Sequence, residues 1–272
     1  MGMKYVVIGN SAAGIGGIEG IRKLDKDSQI VLISKENYHT YSRPLISYYL
    51  SGKVNFEKMK FRPDNFYNKF NVETKLGKKA VALDCNNDQL RLDNGEVLQF
   101  DNLLIATGGA PFIPPIQGTD KNNIHTFISF DDVKNIEYSL KEFDTSEEIL
   151  ILGAGLIGLK AAESLVKSGF NVTVVELADR ILSTILDQKA ASMVQSYLKD
   201  KGVNFQLSDT IEEFKGDQKV EKARLKSGLM LDCDLGIIAV GVRPNLELVK
   251  DTDINYDKGI LVNKNLQTNI LG

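Results

Sequence analysis

The sequence contains little cysteine, and this scarcity excludes several kinds of chemistry. Among 272 residues only Cys85 and Cys233 occur, far apart and without a C-x-x-C pair or the spacing of a metal site. We therefore expect no disulfide framework, no redox-active cysteine pair and no metal centre, and we interpret both residues as small apolar residues. No side chain is predicted to act as a catalytic nucleophile.

Long apolar runs and an excess of one charge are also lacking. No stretch approaches the roughly 20 apolar residues of a membrane helix, and the N-terminus enters a strand-like run without a signal-peptide pattern. The formal net charge is -3 with both signs interspersed, which argues against a nucleic-acid partner. These features, with 43% hydrophobic residues, predict a cytoplasmic α/β protein that associates with neither membrane nor nucleic acid.

Two segments of the sequence repeat one pattern. KYVVIGNSAAGIGGIEGIRKLDKDSQIVLIS and ILILGAGLIGLKAAESLVKSGFNVTVVE each combine an apolar run, a turn of small residues, an amphipathic helix and a second apolar run. This order predicts a βαβ unit. Gly9 of the first segment precedes Gly153 of the second by the same number of residues as Gly14 precedes Gly158.

A second pattern follows each βαβ unit. QLRLDNGEVLQFDNLLIATGG and ARLKSGLMLDCDLGIIAVGV each read as a strand, a tight turn, a strand, an aspartate and a buried strand ending in glycine. Three landmarks keep one separation between the copies: Gly95 and Gly228, Asp101 and Asp234, and Gly108 and Gly241. The sequence therefore predicts two Rossmann-like nucleotide-binding domains, each with a parallel sheet and a small antiparallel β-meander. We place the first at 1–112 with 243–272 and the second at 113–242.

The glycine turn of the second unit carries a full dinucleotide motif. Gly153, Gly155 and Gly158 complete G-x-G-x-x-G between a strand and a helix, where the helix start can hold a pyrophosphate. Glu176 ends the next strand, where a carboxylate accepts hydrogen bonds from a ribose and repels a 2′-phosphate, so NADH is favoured over NADPH. Arg180 either softens that preference or is a surface partner. The alternative for the motif is a glycine turn without a ligand.

The first unit has a variant of this turn. Ser11 stands where the middle glycine belongs, and its small side chain still permits close approach of a phosphate. The acidic position at the strand end falls on Ser34, followed by Lys35 and Glu36, so a ribose-binding carboxylate is either displaced to Glu36 or missing. A turn without a ligand is again the alternative.

Together these motifs resemble the pyridine nucleotide-disulfide oxidoreductase superfamily, which has the glutathione-reductase type of FAD- and NAD(P)-binding fold. The resemblance rests on the two βαβ units, on IATGGAPFIPP and IAVGVRPN after them, and covers essentially the whole chain. It implies that the first unit binds FAD and the second NADH. YSRPLISYYLSG and GAGLIGLKAAESL are most similar to NADH-rubredoxin reductases and to the N-terminal flavoprotein module of NADH-dependent nitrite reductases.

The resemblance also implies cofactor contacts. Lys35 or Glu36 would meet the adenosine ribose of FAD, and Val81 would contact adenine through its backbone. The implied FAD contacts are Gly9, Asn10, Ser11, Ala12, Ala13, Gly14, Lys35, Glu36, Arg43, Pro44, Val81, Ala106, Thr107 and Gly108. The implied NADH contacts are Gly153, Gly155, Leu156, Ile157, Gly158, Glu176 and Gly241.

The sequence departs from the family pattern in three ways. The first helix has no cysteine and Pro44 occupies the position of the single cysteine found in some relatives, so thiol chemistry is not expected. Lys160 stands where many disulfide reductases have a glutamate near the nicotinamide. The chain stops at Gly272, before the Gly-Asp pair that would bind the flavin ribityl chain. We therefore expect a truncated form that lacks a C-terminal domain, binds NADH and retains FAD weakly or not at all.

We interpret the protein as an FAD-dependent NADH oxidoreductase that passes electrons through flavin to a one-electron acceptor, such as rubredoxin or a nitrite reductase metal centre. The alternatives are an NADH oxidase that reduces dioxygen and a non-catalytic module that binds NADH or FAD. The basic stretch Lys58, Lys60 and Arg62 either docks an acidic redox carrier or is a solvated face. The sequence leaves the oligomeric state open.

Overall fold

The structure is a computed structural model that describes residues 2–143 and 146–271. It divides into two compact units. The first contains Met1–Ser42, Lys60–Ala110 and Arg243–Gly272, and the second contains Arg43–Met59 and Pro111–Val242. Gly272 lies outside the described residues.

Helices separate the strands in the βαβ parts of both units, whereas the meanders are runs of consecutive strands. The strands are β1 (Lys4–Ile8), β2 (Gln29–Ser34), β3 (Val72–Leu76), β4 (Ala80–Asp84), β5 (Gln89–Leu92), β6 (Val97–Gln99), β7 (Asn102–Ile105), β8 (Gly109–Pro111), β9 (Ile124–Thr126), β10 (Glu148–Leu152), β11 (Asn171–Glu176), β12 (Val203–Leu207), β13 (Ile211–Lys215), β14 (Lys222–Leu225), β15 (Met230–Asp232), β16 (Leu235–Ile238) and β17 (Val242–Pro244). The helices are α1 (Ala12–Leu24), α2 (Ile46–Leu50), α3 (Phe56–Met59), α4 (Phe66–Lys69), α5 (Phe130–Leu140), α6 (Leu156–Lys167) and α7 (Gln188–Asp200), with a 3-10 turn at Arg43–Leu45.

The first unit is built on a parallel sheet in the order β3-β2-β1-β7. Strand β1 is covered on both faces, which explains its continuous run of apolar residues. Val6 packs with Leu90 of the antiparallel meander β4-β5-β6 on one face, whereas Val7 packs with Ile15 and Ile18 of α1 on the other. Both parts of the predicted domain architecture are therefore present.

The second unit repeats this plan with one strand more. Its parallel sheet has the order β12-β11-β10-β16-β9, and its antiparallel meander is β13-β14-β15. Leu150 and Leu152 of β10 are buried against Phe214 and Ala223 of the meander, and α6 packs on β10 and β11. The edge strand β9 and helix α5 precede the βαβ unit and have no counterpart in the first unit, so the periodic pattern of the repeat did not predict them.

The aspartate that recurs in the sequence repeat has the same hydrogen bonds in both units. Asp101 accepts from the Lys4 backbone N–H at 2.6 Å and donates its own N–H to the Lys4 carbonyl at 2.9 Å. Asp234 makes the same two bonds with Glu148, at 2.8 and 2.9 Å. The carboxylate thus joins the beginning of the central strand to the beginning of its neighbour, and the repeat is conserved in detail as well as in outline.

The hairpin turns of the two meanders also match. Gly95 and Gly228 adopt positive φ angles of 86° and 91°, whereas the preceding Asn94 and Ser227 are not in the left-handed region. Each hairpin is therefore a turn closed by a single left-handed glycine rather than one with two left-handed residues. Only the glycine of each dipeptide is required by the backbone.

One segment is grouped differently from the sequence-based domain division. Residues 43–59, assigned by sequence to the first domain, form a compact unit with residues 111–242. The Ser164 hydroxyl of α6 donates to the Ser47 carbonyl of α2 at 2.8 Å, and the rings of Tyr49 and Phe56 each lie 4.9 Å from that of Phe130 in α5. Residues of this segment thus contact residues that are distant in the sequence.

We expect Asp234→Ala to lower the free energy of unfolding by about 1.5–3 kcal/mol, because a partly buried N–H loses a charged acceptor. Urea-induced unfolding followed by circular dichroism measures this loss. Asp232→Ala is the matched control, since Asp232 makes only an exposed ion pair with Lys222 and should change stability by less than about 1 kcal/mol. Equal effects of the two substitutions would contradict the assigned role of Asp234.

Candidate functional site

The glycine turn of the second unit leads from β10 directly into α6. Gly153 has φ 108°, and a Cβ atom there would lie 2.6 Å from the Ala239 carbonyl oxygen. A Cβ atom at Gly158 would lie 2.0 Å from the carbonyl oxygen of Gly153 itself. Real atoms do not approach so closely, so the chain's own packing requires glycine at both positions.

The middle glycine of the motif, Gly155, is not required by the packing of the chain. Gly155 precedes α6 with φ -78°, which any residue can adopt, and a Cβ atom at this position would meet only open space. The described protein atoms leave room for a side chain at this position. A ligand lying against the backbone would exclude that side chain. No side chain caps the helix start, so the amides of Leu156, Ile157 and Gly158 lie in the uncapped first turn, where helices bind anions. A pyrophosphate therefore fits this position.

The first unit has the same geometry with serine in the middle. A Cβ atom at Gly9, which has φ 120°, would lie 2.1 Å from the Ala106 carbonyl oxygen, and one at Gly14 would lie 1.8 Å from the carbonyl oxygen of Gly9. Ser11 precedes α1 without making a side-chain capping bond. Ala12 and Ala13 begin the helix and are exposed, so this helix start is also uncapped by a side chain and open to a ligand.

Glu176 lies next to the second glycine turn, as the sequence predicted for a strand-end carboxylate. Its two carboxylate oxygens accept hydrogen bonds from the backbone N–H groups of Ala154 at 2.7 Å and Ala178 at 2.8 Å. Each carboxylate oxygen has a second lone pair that can accept from a ribose hydroxyl. The structure therefore adds a supporting role for this side chain that the sequence did not reveal.

The guanidinium of Arg180 is already engaged within its own loop. It pairs with Asp179 at 2.9 Å and donates to the carbonyl oxygens of Ser183 and Leu186 at 3.3 and 3.5 Å. Of the two interpretations that the sequence left open, this arrangement favours a structural surface partner over a residue that softens the preference for NADH.

At the corresponding edge of the first unit the carboxylate comes from the loop after β2. Ser34 ends the strand and is buried, Lys35 is exposed, and Glu36 is only 7% exposed. The Tyr41 hydroxyl donates to Glu36 Oε1 at 2.7 Å. Asn10 of the glycine turn donates its side-chain amide to the Tyr38 carbonyl at 3.0 Å, which ties this loop to the turn.

Val81 and the residues after β7 also lie in the first unit. The pairing of β4 with β5 skips Val81, which is left at a bulge with an exposed side chain. After β7, Thr107 accepts a bond at its carbonyl from the Asn245 side chain at 2.8 Å, and Gly108 adopts φ 65° beside open space. Gly241 occupies the equivalent place after β16 in the second unit, with φ 113° and open space beside it.

The structure does not place all the predicted FAD contacts in one unit. Arg43 and Pro44 belong to the second unit, where the Arg43 guanidinium donates to the Ile128 carbonyl at 3.1 Å. The remaining predicted FAD contacts belong to the first unit, and all the predicted NADH contacts belong to the second.

The two cysteines differ in exposure: Cys233 is buried, as the sequence interpretation expected, whereas Cys85 is only partly buried. Cys233 is fully buried in the core of the second unit, and burial raises its pKa to about 12. Burial also raises the pKa of Cys85. A thiol that stays protonated is a poor nucleophile. In residues 2–143 and 146–271, moreover, no group of three or more histidine, cysteine or acidic side chains is arranged to hold a metal.

The basic stretch 58–62 is largely neutralised by its surroundings. Lys60 pairs with Asp64 at 2.5 Å, and Arg62 makes a two-pronged pair with Glu19 at 2.8 and 3.1 Å. These pairs favour a solvated face over a docking site. Among the helices of the described residues, none combines the length and apolar character that crossing a membrane requires.

We expect Gly155 and Gly158 to respond differently to substitution. Gly158→Ala forces atoms to overlap and should lower the free energy of unfolding by about 1–3 kcal/mol or more. Gly155→Val enters open space and should change stability by about 1 kcal/mol, yet weaken dinucleotide binding at least tenfold because the side chain occupies the place of the phosphates. Urea unfolding and fluorescence titration with NADH measure both effects. Undiminished NADH binding by Gly155→Val would contradict the proposed position of the pyrophosphate.

Proteins of known identity with similar sequences indicate the family of the chain. The chain is 34% identical over 272 residues to the nitrite reductase [NAD(P)H] of Bacillus subtilis (strain 168), covering 99% of this chain and 33% of that protein. It is 34% identical over 275 residues to an NADH oxidase of Methanocaldococcus jannaschii, covering 98% of this chain and 61% of that one. The chain thus spans about a third to three fifths of the length of these relatives.

Solved structures show the same architecture. The reductase in the covalent putidaredoxin reductase–putidaredoxin complex superposes with a TM-score of 0.90 at 26% identity, over 98% of this chain and 65% of that one. The family model for pyridine nucleotide-disulphide oxidoreductases matches residues 3–272. The chain therefore belongs to the pyridine nucleotide-disulphide oxidoreductase family, whose cofactors are FAD and NAD(H).

Proposed function

We propose that this chain acts as an FAD-dependent NADH oxidoreductase, passing electrons from NADH through flavin to a one-electron acceptor such as rubredoxin or a nitrite reductase metal centre. The observation that carries the proposal is the doubled glycine turn. Each copy keeps the two glycines that its own packing requires, and each leaves an uncapped helix start beside open space or a small side chain. Two such turns in one chain support two dinucleotides.

The two units divide the cofactors between them. In the first unit, the amides at the start of α1 hold the FAD pyrophosphate and Glu36 accepts a hydrogen bond from the adenosine ribose. Val81, at the bulge of β4, contacts adenine through its backbone. Residues 106–108 complete the proposed FAD contacts within the first unit, whereas Arg43 and Pro44, which group with the second unit, stay contacts that only the family resemblance implies. In the second, the amides that begin α6 hold the NADH pyrophosphate and Glu176 accepts from its adenosine ribose. The positive end of each helix favours the anionic phosphates.

The protein's contribution is binding and orientation. The bound flavin supplies the hydride and single-electron chemistry. Burial raises the pKa of both Cys233 and Cys85, which disfavours competing thiol chemistry. No side chain needs to act as a nucleophile or as a general base, so substitutions at the proposed contacts should act mainly through cofactor affinity.

The similarity to a nitrite reductase and to a reductase crystallised with putidaredoxin supports a redox partner or domain as the acceptor. The similarity to an NADH oxidase favours the second candidate, direct reduction of dioxygen. A cytoplasmic location stays a prediction of the sequence, and the sequence prediction left the oligomeric state open.

We expect the chain reconstituted with FAD to lose its yellow colour on anaerobic addition of NADH, because hydride transfer reduces the flavin. Absorbance spectra in an anaerobic cuvette measure this loss. The colour should then return on adding oxidised rubredoxin faster than on adding air-saturated buffer. Faster return with dioxygen would favour the oxidase, whereas NADH binding without any loss of colour would favour a non-catalytic binding module.

We expect Glu176→Ala to narrow the preference for NADH over NADPH about tenfold or more, because it removes both a charged acceptor for the ribose and the repulsion of a 2′-phosphate. The substitution also removes the acceptor of the Ala154 and Ala178 amides, so the affinities for NADH and for NADPH should both fall. The ratio of the Kd for NADPH to the Kd for NADH is therefore the informative quantity. Arg180→Ala is the control and should leave the ratio unchanged. An unaltered ratio in Glu176→Ala would refute its assigned role.

A further inference from the structure

Two side chains join the first glycine turn to the loop that carries Glu36. The Asn10 side chain donates to the Tyr38 carbonyl at 3.0 Å and accepts from the Tyr67 hydroxyl at 2.9 Å. The same hydroxyl accepts from the Thr40 backbone N–H at 2.9 Å. We call Asn10 and Tyr67 the latch. It connects the turn, residues 36–41 and helix α4, three parts of the first unit that are distant in sequence.

The second unit has no need of such a latch. There the acid ends the strand itself, and Glu176 bonds directly to the backbone of Ala154, the residue that corresponds to Asn10. In the first unit the strand ends in Ser34 and the acid follows two residues later, on a loop. In the first unit the amide side chain of Asn10 connects the glycine turn to this loop through the Tyr38 carbonyl.

The latch holds a loop in which the Glu36 carboxylate and the Tyr41 side chain are buried and bonded to each other. Glu36 and Tyr41 are 7% and 5% exposed, and the Tyr41 hydroxyl donates to Glu36 at 2.7 Å. A carboxylate in such a place has few rotamers to choose from, so its direction depends on the conformation of residues 36–41. Whatever fixes that loop also fixes the carboxylate.

The same loop contains buried polar atoms without a hydrogen-bond partner among the described residues. These are His39 Nε2 and the hydroxyl oxygen of Thr40, and each such atom costs about 1–3 kcal/mol. A loop that leaves these groups unsatisfied needs support from elsewhere. The Tyr67 ring provides some of it by packing 4.9 Å from the His39 ring, and its hydroxyl provides the bond to Thr40.

We propose that the latch preorganises residues 36–41 for the adenosine half of FAD, so that Tyr67 is a positioning residue that acts on the cofactor through Asn10 and Glu36. The inference rests on the proposed function, in which the first unit binds FAD. A loop fixed before binding does not lose its conformational freedom when the ligand arrives, and affinity is higher for that reason.

The test is the affinity of Tyr67→Phe for FAD. This substitution removes the hydroxyl and keeps the ring packing, and we expect the Kd for FAD, measured by quenching of flavin fluorescence, to rise about tenfold. The Kd for NADH, bound by the other unit, should stay unchanged, and urea unfolding followed by circular dichroism shows whether the first unit is still folded. Tyr5→Phe is the matched control, because the Tyr5 hydroxyl bonds to Asp25 in the same unit at 3.3 Å, and it should bind FAD as the unaltered chain does.

A double-mutant cycle with Glu36→Gln separates positioning from general stabilisation. If the latch acts through Glu36, the double variant should bind FAD about as weakly as the weaker single variant. The proposal is overturned if the two substitutions raise the Kd for FAD by independent factors that multiply in the double variant. It is also overturned if Tyr67→Phe leaves the Kd for FAD unaltered. Asn10→Ala removes both latch bonds and replaces Tyr67→Phe in the cycle if the first unit of that variant is no longer folded.

Failure of the proposed function gives a different result. If the unaltered chain binds NADH but no FAD at any accessible concentration, the assignment of the first unit is wrong, and the latch proposal is overturned with it. If the unaltered chain binds FAD and Tyr67→Phe binds it equally well, only the latch proposal is overturned.

Discussion

The close contact between two glycines in each turn is the constraint on which the rest of the structure depends. A Cβ atom at Gly14 or Gly158 would lie within about 2 Å of the carbonyl oxygen of Gly9 or Gly153. This contact lets the helix begin directly on the central strand of its sheet, and the first helical amides then face outward at the carboxyl edge of the strands. Binding of an anion there follows from backbone geometry alone.

The two copies differ at positions where the packing of the chain does not require a particular residue. The middle position of the turn is Gly155 in one copy and Ser11 in the other, and open space lies beside Gly155. The acid is at the strand end in the second unit and on a buried loop in the first. The two copies thus share their backbone contacts and differ in the residues that we propose contact the ligands, which is the pattern expected if the two copies bind different dinucleotides.

The sequence could predict whatever is expressed in local patterns. The two βαβ units, the meanders and the paired aspartates Asp101 and Asp234 all follow from spacing and periodicity, and the structure has each of them. The grouping of residues 43–59 with the second unit could not be predicted, because it depends on contacts such as Ser164 with Ser47 that join distant parts of the chain. The bonds of Arg180 and of Tyr67 were missed for the same reason, since no spacing in the sequence signals them.

Glu176 combines the proposed recognition of the ribose with support of the backbone around the glycine turn. Its carboxylate supports the amides of Ala154 and Ala178 and also lies where a ribose would be recognised. A change of preference toward a 2′-phosphate therefore requires more than removal of the negative charge, because two backbone N–H groups would lose their acceptor beside the turn that holds the pyrophosphate. New acceptors for those amides would have to accompany any new cation. Because Arg180 is already bonded within its own loop, that cation would have to come from another position.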